Sequence, residues 1–426
     1  MNKKNKRYIC CNCSILCDDI ELTIENNSII DTYNCCGRGD IIYKSNNTAN
    51  RIKNPFINVD GNRKEITFNN AIIKAKEILQ NAKNPIIYGF TNTGCEEIFQ
   101  GILLTRKLNA YIDTQQSVCF ITLNKKLKEK KLRYINLDKL KNVVDLIVFW
   151  GSNVSDLHLR LASKYAVFPR SGIIQGGKES RTVVSIDIRP TPTEKISDIS
   201  YYINPGKDKE LIDALLELNS GKRIQSKEIA GIPLKKVKDF YELLRDSENK
   251  VIFIGPGLTA GGEQYELLDS IAQLAKEMNI NLLITTSDIN TVGCDFIMRA
   301  MTGHPFSVKY LNGKPTSNFS EFSIAKLIKN NKIDAAVIVS ADPLAKLPFK
   351  LAKKLANIPI IVIDHHKSLT SDFAKVVIPM GMSGIENSGT FMRMDGKIQV
   401  IDKILDPPDN VKSGSKILKE LRESLE

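Results

Sequence analysis

Residues 8–40 read YICCNCSILCDDIELTIENNSIIDTYNCCGRGD and hold six of the nine cysteines of the chain. Four of the six follow the spacing Cys-x2-Cys-x3-Cys-x18-Cys, and they are Cys10, Cys13, Cys17 and Cys36. Four thiolates spaced in this way can close on one iron–sulfur cluster, because each iron takes one cysteine. The spacing therefore predicts a [4Fe-4S] module at the start of the chain.

Two other interpretations of these cysteines stay open. Zinc is the competing metal, but structural zinc sites usually show two separated C-x2-C pairs, and here the fourth cysteine stands apart. The thiols could also be unligated. Cys11 and Cys35 lie beside predicted ligands and could replace them, so the choice of Cys36 over Cys35 is not fixed by the spacing.

Composition bounds the class of protein. A length of 426 residues allows two or three domains, and the hydrophobic fraction of 42% fits a globular chain. No stretch approaches roughly eighteen apolar residues, and the basic start MNKKNKR is not followed by the apolar core of a signal peptide. We therefore expect no membrane span and a cytoplasmic location, where thiols stay reduced and clustered cysteines more often bind metal.

The net charge of +12 raises the question of nucleic-acid binding. The lysines are scattered over predicted helix surfaces, as in KAKEILQNAK, and the sequence has no basic stripe with interleaved aromatic residues. We therefore expect no nucleic-acid partner. The excess charge is typical of a solvated surface, and the functional alternative is an anionic cofactor or an acidic partner subunit.

After the cysteine-rich segment and a predicted hairpin, the chain alternates apolar strands with amphipathic helices from about residue 65. The strands are continuous apolar runs, such as PIIYG at 85–89 and KVIFI at 250–254, which are typical of parallel strands covered on both faces. The sequence therefore predicts an α/β fold with ligand crevices at the carboxyl ends of its strands.

Matched strand–glycine–helix starts at these two runs suggest how the chain is divided into domains. We expect an iron–sulfur module over residues 1–55. A discontinuous α/β domain is predicted over 56–125 and 248–426, and a second α/β domain, 126–247, is predicted to be inserted between its halves. Both α/β domains are expected to be Rossmann-like.

Cys119 lies in YIDTQQSVCF, after a predicted strand and before a predicted helix. A thiolate at a loop-to-helix junction is stabilised by the helix N-terminus, and a soft thiolate suits a soft, high-valent metal. Cys119 is therefore a candidate metal ligand. The alternative is that it is a small buried hydrophobic residue, as single cysteines usually are.

Small and polar residues follow five of the predicted strands. Backbone amides in such turns can cradle phosphates, and a carboxylate at a strand end can hold a ribose hydroxyl. No turn is a complete dinucleotide fingerprint, and ordinary α/β loops are the alternative, but five turns in register predict a large phosphorylated cofactor. His365-His366 also ends a predicted strand; we favour a plain turn pair, and the alternative is that the pair faces the crevice. The candidate cofactor-binding residues are Gly151, Ser152, Asn153, Asp187, Arg189, Thr191, Gly255, Gly257, Ser340, Asp342, Gly389 and Thr390.

The cysteine module followed by α/β halves resembles the molybdopterin oxidoreductases. Residues 374–400, AKVVIPMGMSGIENSGTFMRMDGKIQV, are similar to the pattern ADVVLP…E…GT…N…GR of that superfamily. Further segments, among them SVC at 117–119, WGSN at 150–153 and DAAVIVSADP at 334–343, resemble the tungsten- or molybdenum-bearing pterin subunits of formylmethanofuran dehydrogenases. The resemblance covers essentially the whole chain.

The resemblance implies a catalytic role. Cys119 would be the protein thiolate on tungsten or molybdenum, whose other ligands would be dithiolenes from a bis(molybdopterin guanine dinucleotide) cofactor. The [4Fe-4S] cluster would feed electrons to this centre. The chain would then be the catalytic subunit that reduces carbon dioxide to formate for the formylation of methanofuran in methanogenesis.

The resemblance also implies partners. These are a zinc amidohydrolase-like subunit, a small β-barrel subunit and ferredoxin-like subunits. Larger relatives carry a C-terminal β-barrel domain, which this chain is expected to lack, so that the small subunit would supply it.

Two positions depart from the family pattern. The family commonly has His directly after the metal-binding cysteine, and this chain has Phe120. The family also tends to place an Arg where this chain has the segment 285–288, TTSD. Because the missing groups could donate hydrogen bonds or protons to carbon dioxide or formate, two alternatives are kept. They are a non-catalytic scaffold or electron-conduit subunit, and a short formate dehydrogenase.

Overall fold

A computed structural model of the chain describes residues 4–45, 48–59, 61–119, 134–259 and 264–425. It shows a mixed α/β fold with several sheets, in agreement with the predicted fold class. Contacts between Cα atoms divide the chain into two compact units. Unit 1 comprises Met1–Val118, Asp288–Arg393 and Ile398–Glu426, and unit 2 comprises Cys119–Ser287 and Met394–Lys397.

The N-terminal segment of unit 1 forms a small antiparallel sheet. Its strands are Lys4–Tyr8, Ile20–Glu25 and Ser28–Tyr33, and the helix Gly37–Lys44 follows. The turn between the second and third strands has two asparagines at positive φ, as two-residue hairpin turns require. The hairpin predicted from the alternation of apolar and polar residues is therefore confirmed.

Within the described residues, the main sheet of unit 1 has nine strands. The five central strands are parallel, and an antiparallel hairpin closes each edge. In chain order the central strands have the arrangement 2-1-3-4-5, which is the doubly wound order of flavodoxin-like folds. From one edge to the other, the strands are Lys314–Ser317, Val308–Leu311, Tyr111–Thr114, Pro85–Gly89, Ala335–Val339, Ile360–Asp364, Val376–Pro379, Phe56–Val59 and Asn62–Glu65.

Helices cover both faces of this sheet, which explains the continuous apolar runs of its parallel strands. One face packs against four helices through a core that includes Ile87, Val337 and Ile361. These helices are Phe68–Asn81, Cys95–Leu108, Thr291–Thr302 and Gly414–Ser424. The other face buries Ile86 and Ile338 against the helices Ile324–Lys329, Pro343–Lys346 and Phe349–Ala356, and the helix Leu369–Phe373 follows.

In the described part of unit 2 the main sheet has five strands, all of them parallel. From edge to edge its strands are Ile199–Tyr202, Thr182–Asp187, Leu146–Trp150, Lys250–Ile254 and Asn281–Ile284. The chain order is 3-2-1-4-5, the order of dinucleotide-binding sheets. One face is covered by the helices Asp208–Asn219, Leu234–Asp246 and Gln264–Glu277, and the helix Leu137–Val143 precedes the first strand.

The pairing of Lys250–Ile254 corrects the predicted domain limits. This strand lies beside Leu146–Trp150 and not beside Pro85–Gly89, so the boundary predicted at 247/248 is wrong. The run KVIFI is buried at every residue and would fit either sheet. Its place is decided by the helices on either side of it, whose apolar faces share the core of unit 2. Unit 2 therefore extends to Ser287.

The remaining described elements are short. Two hairpins pair Glu228–Ile229 with Ile232–Pro233 and Gly389–Met392 with Ile398–Ile401. Among the described residues, no helix is both long enough and apolar enough to cross a membrane. The short helical turns are Gln116–Cys119, Val154–Leu157, Ala162–Ala166, Gly177–Ser180, Pro192–Ile196, Pro256–Thr259 and Phe319–Phe322.

Candidate functional site

Each parallel sheet reverses its strand order at one point, and ligands bind in doubly wound folds at such points. In unit 2 the reversal lies between the strands that end at Trp150 and Ile254. Two predicted glycine turns meet there, since the Gly257 amide donates to the Gly151 carbonyl oxygen at 3.0 Å. A Cβ on Gly255 would lie 2.0 Å from that same oxygen, so this approach requires glycine.

Other predicted residues of unit 2 surround this contact. The Ser152 hydroxyl lies 2.9 Å from the Thr285 hydroxyl, and the side-chain amide oxygen of Asn153 accepts from the Thr193 hydroxyl at 2.8 Å. Asp187 ends the strand next to the reversal, where a carboxylate can reach a ribose. The structure thus brings these residues to one edge of the sheet.

The loop after Asp187 carries two more predicted residues. Arg189 is exposed, and Thr191 is buried and precedes the helical turn Pro192–Ile196. The sequence analysis missed His158, which is buried with its Nε2 atom 2.8 Å from the Thr286 carbonyl oxygen. A histidine on a strand-following loop has no sequence signal of its own, so its place emerges only from the fold.

In unit 1 the reversal lies between Pro85–Gly89 and Ala335–Val339. The strand Pro85–Gly89 ends at Gly89, which has a positive φ. A Cβ on Gly89 would lie 2.0 Å from the Val339 carbonyl oxygen. Phe90 and Ser340, directly after the two strands, also have positive φ values. Such conformations cost about 1–3 kcal/mol each and are concentrated at ligand sites.

A cavity of about 290 Å³ opens at the carboxyl ends of these strands. The Ser383 hydroxyl on its wall is buried and has no hydrogen-bond partner among the described residues. The Nδ1 atom of His365 is 3.2 Å from the Asp364 carboxylate, and it makes no hydrogen bond with any residue that the structure describes. Asn12, Asn92 and Lys346 also line the cavity and can bind polar groups, so its wall fits a phosphorylated cofactor.

Asp342 lines this cavity, but its carboxylate is already used. One oxygen accepts from the Thr370 amide at 3.0 Å and hydroxyl at 2.6 Å, and the other accepts from the Leu369 amide at 3.1 Å. The carboxylate also accepts from the Ala345 amide at 3.4 Å, which makes Asp342 the N-cap of the helix Pro343–Lys346. Asp364, at the end of the next strand, also lines the cavity and was missed by the sequence analysis.

The two predicted residues furthest along the chain lie elsewhere. Gly389 and Thr390 begin a strand, and the Thr390 amide donates to both carboxylate oxygens of Glu96 at 3.1 Å. That amide is therefore satisfied by the chain itself, and neither residue lines the cavity described above. Their role in cofactor binding stays a prediction.

Cys119 ends the short helix Gln116–Cys119, which follows the buried strand Tyr111–Thr114. The side chain of Cys119 and the whole of Phe120 lie outside the described part of the structure. The predicted metal contact therefore stays a prediction. What the structure does describe is how the turn before Cys119 is held.

The turn is held by two glutamines. Gln115 accepts from the Thr91 amide at 3.2 Å and donates to the Ser340 carbonyl oxygen at 3.4 Å, so it spans the loops that follow the two strands at the reversal. Gln116 donates to the Thr291 carbonyl oxygen at 2.7 Å. The segment leading to the cysteine is thus tied to the reversal point of unit 1.

A buried carboxyl group holds the same turn. Asp113 accepts from the Ser117 hydroxyl at 2.5 Å, the Ser307 amide at 2.9 Å and the Ile324 amide at 2.8 Å. Burial raises the pKa of Asp113 to about 6, although these hydrogen bonds oppose the shift. Three segments of unit 1 therefore converge on one carboxyl group near the end of the strand that leads to Cys119.

The N-terminal thiols converge beside the helix Gly37–Lys44. A Cβ on Gly39 would lie 2.5 Å from the Cys35 sulfur, 3.2 Å from the Cys10 sulfur and 3.8 Å from the Cys36 sulfur. Cys36 also caps the helix, because its sulfur accepts from the Gly39 amide at 3.5 Å. Both Cys35 and Cys36 are thus near Cys10, and the structure keeps both as candidates for the fourth ligand.

The remaining predicted ligands lie in the same group. Burial raises the pKa of Cys13 to about 12, and charge repulsion from Cys17 and Cys36 adds to the shift. The hydrogen bond with Cys35 and burial raise the pKa of Cys10 well above its usual value. Buried thiols that repel one another as thiolates fit a cationic metal centre, which would stabilise their charge.

Among the described side chains, no three His, Cys, Asp or Glu residues are arranged to hold a single metal ion. A four-iron cluster places its ligands farther apart, because each thiolate binds a different iron. The cluster stays a prediction that the donor set fits.

Cys11 differs from its neighbours. Cys11 lines the cavity of unit 1, and its sulfur donates to the Gly384 carbonyl oxygen at 3.3 Å. Burial raises its pKa to about 12, so the group is a thiol in the structure. The sequence analysis considered Cys11 only as a substitute cluster ligand.

An ion pair supports the wall of the cavity. Arg51 and Glu386 are 2.5 Å apart, and their side chains are 0% and 2% exposed. Glu386 also accepts from the Met382 amide at 2.9 Å, and Arg51 donates to the His365 carbonyl oxygen at 2.9 Å. A paired, hydrogen-bonded charge can be buried in this way, and the pair fixes two loops that line the cavity.

The sequence matches the molybdopterin oxidoreductase family over residues 51–424. A subunit of the tungsten-containing formylmethanofuran dehydrogenase 2 of Methanocaldococcus jannaschii is 30% identical, over 98% of this chain and 98% of that protein. Acetylene hydratase from Pelobacter acetylenicus has a similar structure, with a TM-score of 0.74 at 13% identity over 99% of this chain and 69% of its own.

A chain of the formyltransferase/hydrolase complex from Methylorubrum extorquens, crystallised with methylofuran, has a TM-score of 0.69 at 19% identity, over 87% of this chain and 98% of its own. At these identities, the two structures show only that this chain has a similar fold. The family match covers the main sheets of both units and most of the residues that line the cavity, and the Methanocaldococcus relative is aligned over nearly its whole length. The chain therefore belongs to the molybdopterin oxidoreductase family, a family of enzymes.

Proposed function

We propose that the chain is the pterin- and cluster-binding subunit of a formylmethanofuran dehydrogenase, in which carbon dioxide is reduced to formate before the formate is joined to methanofuran. The observation that carries the proposal is the alignment with the subunit of the tungsten-containing Methanocaldococcus enzyme over 98% of both chains. A match of that extent leaves no large part of either chain without a counterpart.

The two strand-order reversals support the binding of one molybdopterin guanine dinucleotide in each unit. In unit 2 the amides of Gly151 and Gly255 are hydrogen-bonded to the sheet edge, so these glycines would let the backbone approach the phosphates closely, and Asp187 would hold a ribose. In unit 1 the Ser383 hydroxyl and Asp364 would bind polar groups of the second dinucleotide. Asp342 would act there as a cap that shapes the loop.

When bound, such a cofactor with tungsten or molybdenum supplies the two-electron chemistry that interconverts carbon dioxide and formate. The tasks of the chain are to hold it and to exclude competing reactions. Cys119 would provide the thiolate ligand, and Asp113, Gln115 and Gln116 would fix the turn that carries it. Phe120 would line the approach as an apolar wall, with no proton to give.

The cysteine-rich segment would bind the [4Fe-4S] cluster through Cys10, Cys13 and Cys17, with Cys35 or Cys36 as the fourth ligand. We propose ferredoxin-like subunits as its electron donors, a zinc amidohydrolase-like subunit as the consumer of formate, and a small β-barrel subunit. The β-barrel subunit would replace a C-terminal barrel domain of larger relatives.

The test is an anaerobic purification of the assembled complex followed by metal analysis and a carbon dioxide or formate redox assay. We expect tungsten or molybdenum near one per chain, together with cluster iron. Cys119→Ala should lose turnover and keep its iron, because the cluster is held elsewhere. Cys95→Ala is the matched control, since Cys95 is a buried cysteine of unit 1 with no predicted ligand role. Turnover unaffected by Cys119→Ala would contradict the proposal.

A second candidate is a scaffold or electron-conduit subunit without turnover. Phe120 favours it, and so does the similar fold of a chain from a complex named for formyl transfer and hydrolysis. The cysteine module and Cys119 favour the enzyme, because a cofactor-free subunit has no use for them. The same metal analysis separates the two, since an assembled complex with neither tungsten nor molybdenum supports the scaffold.

A further inference from the structure

Cys11 stands between two predicted cluster ligands, yet its thiol is directed elsewhere. The sulfur is buried and lies 3.3 Å from the Gly384 carbonyl oxygen, with the Ile9 carbonyl oxygen at 3.5 Å as a second acceptor. The three atoms nearest to a Cβ on Gly39 are the sulfurs of Cys35, Cys10 and Cys36, whereas the Cys11 sulfur is the atom nearest to a Cβ on Gly384. Cys11 therefore joins the cysteine segment to a distant turn.

That turn belongs to the wall of the unit 1 cavity. Gly384 has a φ of +76°, and a Cβ there would lie 2.5 Å from the Cys11 sulfur. Its amide donates to the Asn387 carbonyl oxygen at 2.7 Å, and its neighbours Ser383 and Ile385 line the cavity. The turn needs glycine both for its conformation and for the close approach of the sulfur.

The Gly384 carbonyl oxygen needs the Cys11 thiol as a hydrogen-bond donor. The Tyr8 hydroxyl lies 2.7 Å from the Gly384 carbonyl oxygen and also contacts the Asp402 carbonyl oxygen, but it has one proton. When that proton points to Asp402, Cys11 is the donor left for Gly384. A buried carbonyl without a donor would cost free energy, so the thiol keeps this turn satisfied.

Cys11 is itself fixed from the other side. Its amide donates to the Tyr43 hydroxyl at 2.9 Å, and that hydroxyl donates to the Ile9 carbonyl oxygen at 3.1 Å. Tyr43 is fully buried in the helix that follows the cysteines. Cys11 thus connects the helix Gly37–Lys44, through Tyr43, to Gly384 in the cavity wall.

We infer that Cys11 is a positioning residue that sets the distance between the iron–sulfur cluster and the cofactor cavity without ligating iron. The inference rests on the proposed function. One electron would leave the reduced cluster and be gained by the oxidised cofactor, and no bond or proton at Cys11 would change. Serine would serve less well, because its shorter C–O bond leaves the hydroxyl farther from Gly384.

The experiment compares wild type, Cys11→Ala and Cys11→Ser in the assembled complex, with Cys95→Ala as control. Three quantities are measured: the cluster signal in electron paramagnetic resonance, hydrogen exchange of peptides covering 381–387, and the rate of electron transfer from cluster to metal. For Cys11→Ala we expect an intact cluster signal, faster exchange in 381–387 and electron transfer slowed several-fold. Cys11→Ser should fall between, and the control should match wild type.

Three outcomes would overturn the inference. Loss of the cluster signal in both Cys11 variants would make Cys11 an iron ligand. An intact signal with unchanged exchange and unchanged electron transfer would reduce Cys11 to a packing residue. A wild-type complex without any cluster would refute the proposed function, and the inference with it, and this result is recognised before any variant is compared.

Discussion

Asp113 shows how much one buried carboxyl group can organise. It is 0% exposed and accepts hydrogen bonds from the Ser117 hydroxyl and from the amides of Ser307 and Ile324. Ser117, Ser307 and Ile324 are all buried, so water cannot replace the carboxylate as their acceptor. The segment that carries Cys119 therefore depends on a carboxyl group at the end of the preceding strand.

We expect Asp113→Ala to lower the free energy of unfolding by about 3 kcal/mol, because several buried donors lose their acceptor. Asp113→Asn should cost less, since its amide oxygen can still accept. Urea unfolding of the full chain measures both. Asp334→Ala is the control, because Asp334 also accepts two backbone amides but is only partly buried. Equal losses for Asp113→Ala and Asp334→Ala would contradict the assigned role.

Glu97 is a second buried carboxyl group with a measurable consequence. It lies in the first turn of the helix Cys95–Leu108 and accepts from the Ser415 amide at 3.1 Å. Burial raises its pKa from 4.5 to about 7. The folded state therefore keeps a proton that the unfolded chain has already released.

The sign of the pH effect follows from this difference. Between about pH 4.5 and pH 7 only the unfolded chain releases the Glu97 proton, so this group lowers the stability of the fold as the pH rises. Glu97→Gln removes the penalty, and we expect its gain over wild type to grow across that range and then level off. Thermal unfolding at several pH values checks this, with the exposed neighbour in Glu96→Gln as control. A gain that is constant with pH would contradict the shift.

Some residue roles could be predicted from the sequence, and others could not. The N-terminal cysteines lie close together in the sequence, so their spacing alone predicted a shared site. Asp342 was assigned to ligand binding from its place after a strand, but its carboxylate accepts from the Leu369 and Thr370 amides, contacts that the strand pattern does not reveal. The wall of the cavity rests on Arg51 and Glu386, which are 335 positions apart.

At the scale of elements, the glycine turns of unit 2 were predictable. Continuous apolar runs indicate parallel strands, parallel strands end at one edge, and so the turns after them meet. The partner of the strand Lys250–Ile254 was not predictable in the same way. A fully buried run has no polar face to specify a neighbour, and the choice was made by the flanking helices Leu234–Asp246 and Gln264–Glu277.

The close contact between Gly255 and Gly151 in unit 2 can be tested by substitution. In Gly255→Ala the new Cβ would meet the Gly151 carbonyl oxygen at 2.0 Å, and neither backbone can yield easily. We expect a loss of about 1–3 kcal/mol in the free energy of unfolding and loss of bound pterin. Gly172→Ala is the matched control in the same unit, because a Cβ there meets nothing within 4 Å. Thermal unfolding and pterin analysis of both variants provide the test, and equal behaviour would contradict the close contact.

At the scale of the whole molecule, each unit has its own parallel sheet, its own core and its own reversal of strand order. The N-terminal segment is different. Its three short strands and one helix form a small element, whose buried side chains include Tyr8, Leu16, Ile20 and Tyr43. A segment of that size gains little from hydrophobic burial alone, and small folds of this kind usually need disulfides or metal.

Removal of iron should therefore act locally. Without a cluster the N-terminal thiols are neutral and no bond joins Cys10 or Cys17 to the later cysteines, so residues 4–45 lose their main cross-link. We expect anaerobic iron chelation of the full chain to accelerate hydrogen exchange in 4–45. The strands of unit 2, such as Leu146–Trp150, should keep their protection because their core contains no predicted iron ligand. Unchanged exchange in 4–45, or an equal increase in unit 2, would show that the cluster does not hold this segment.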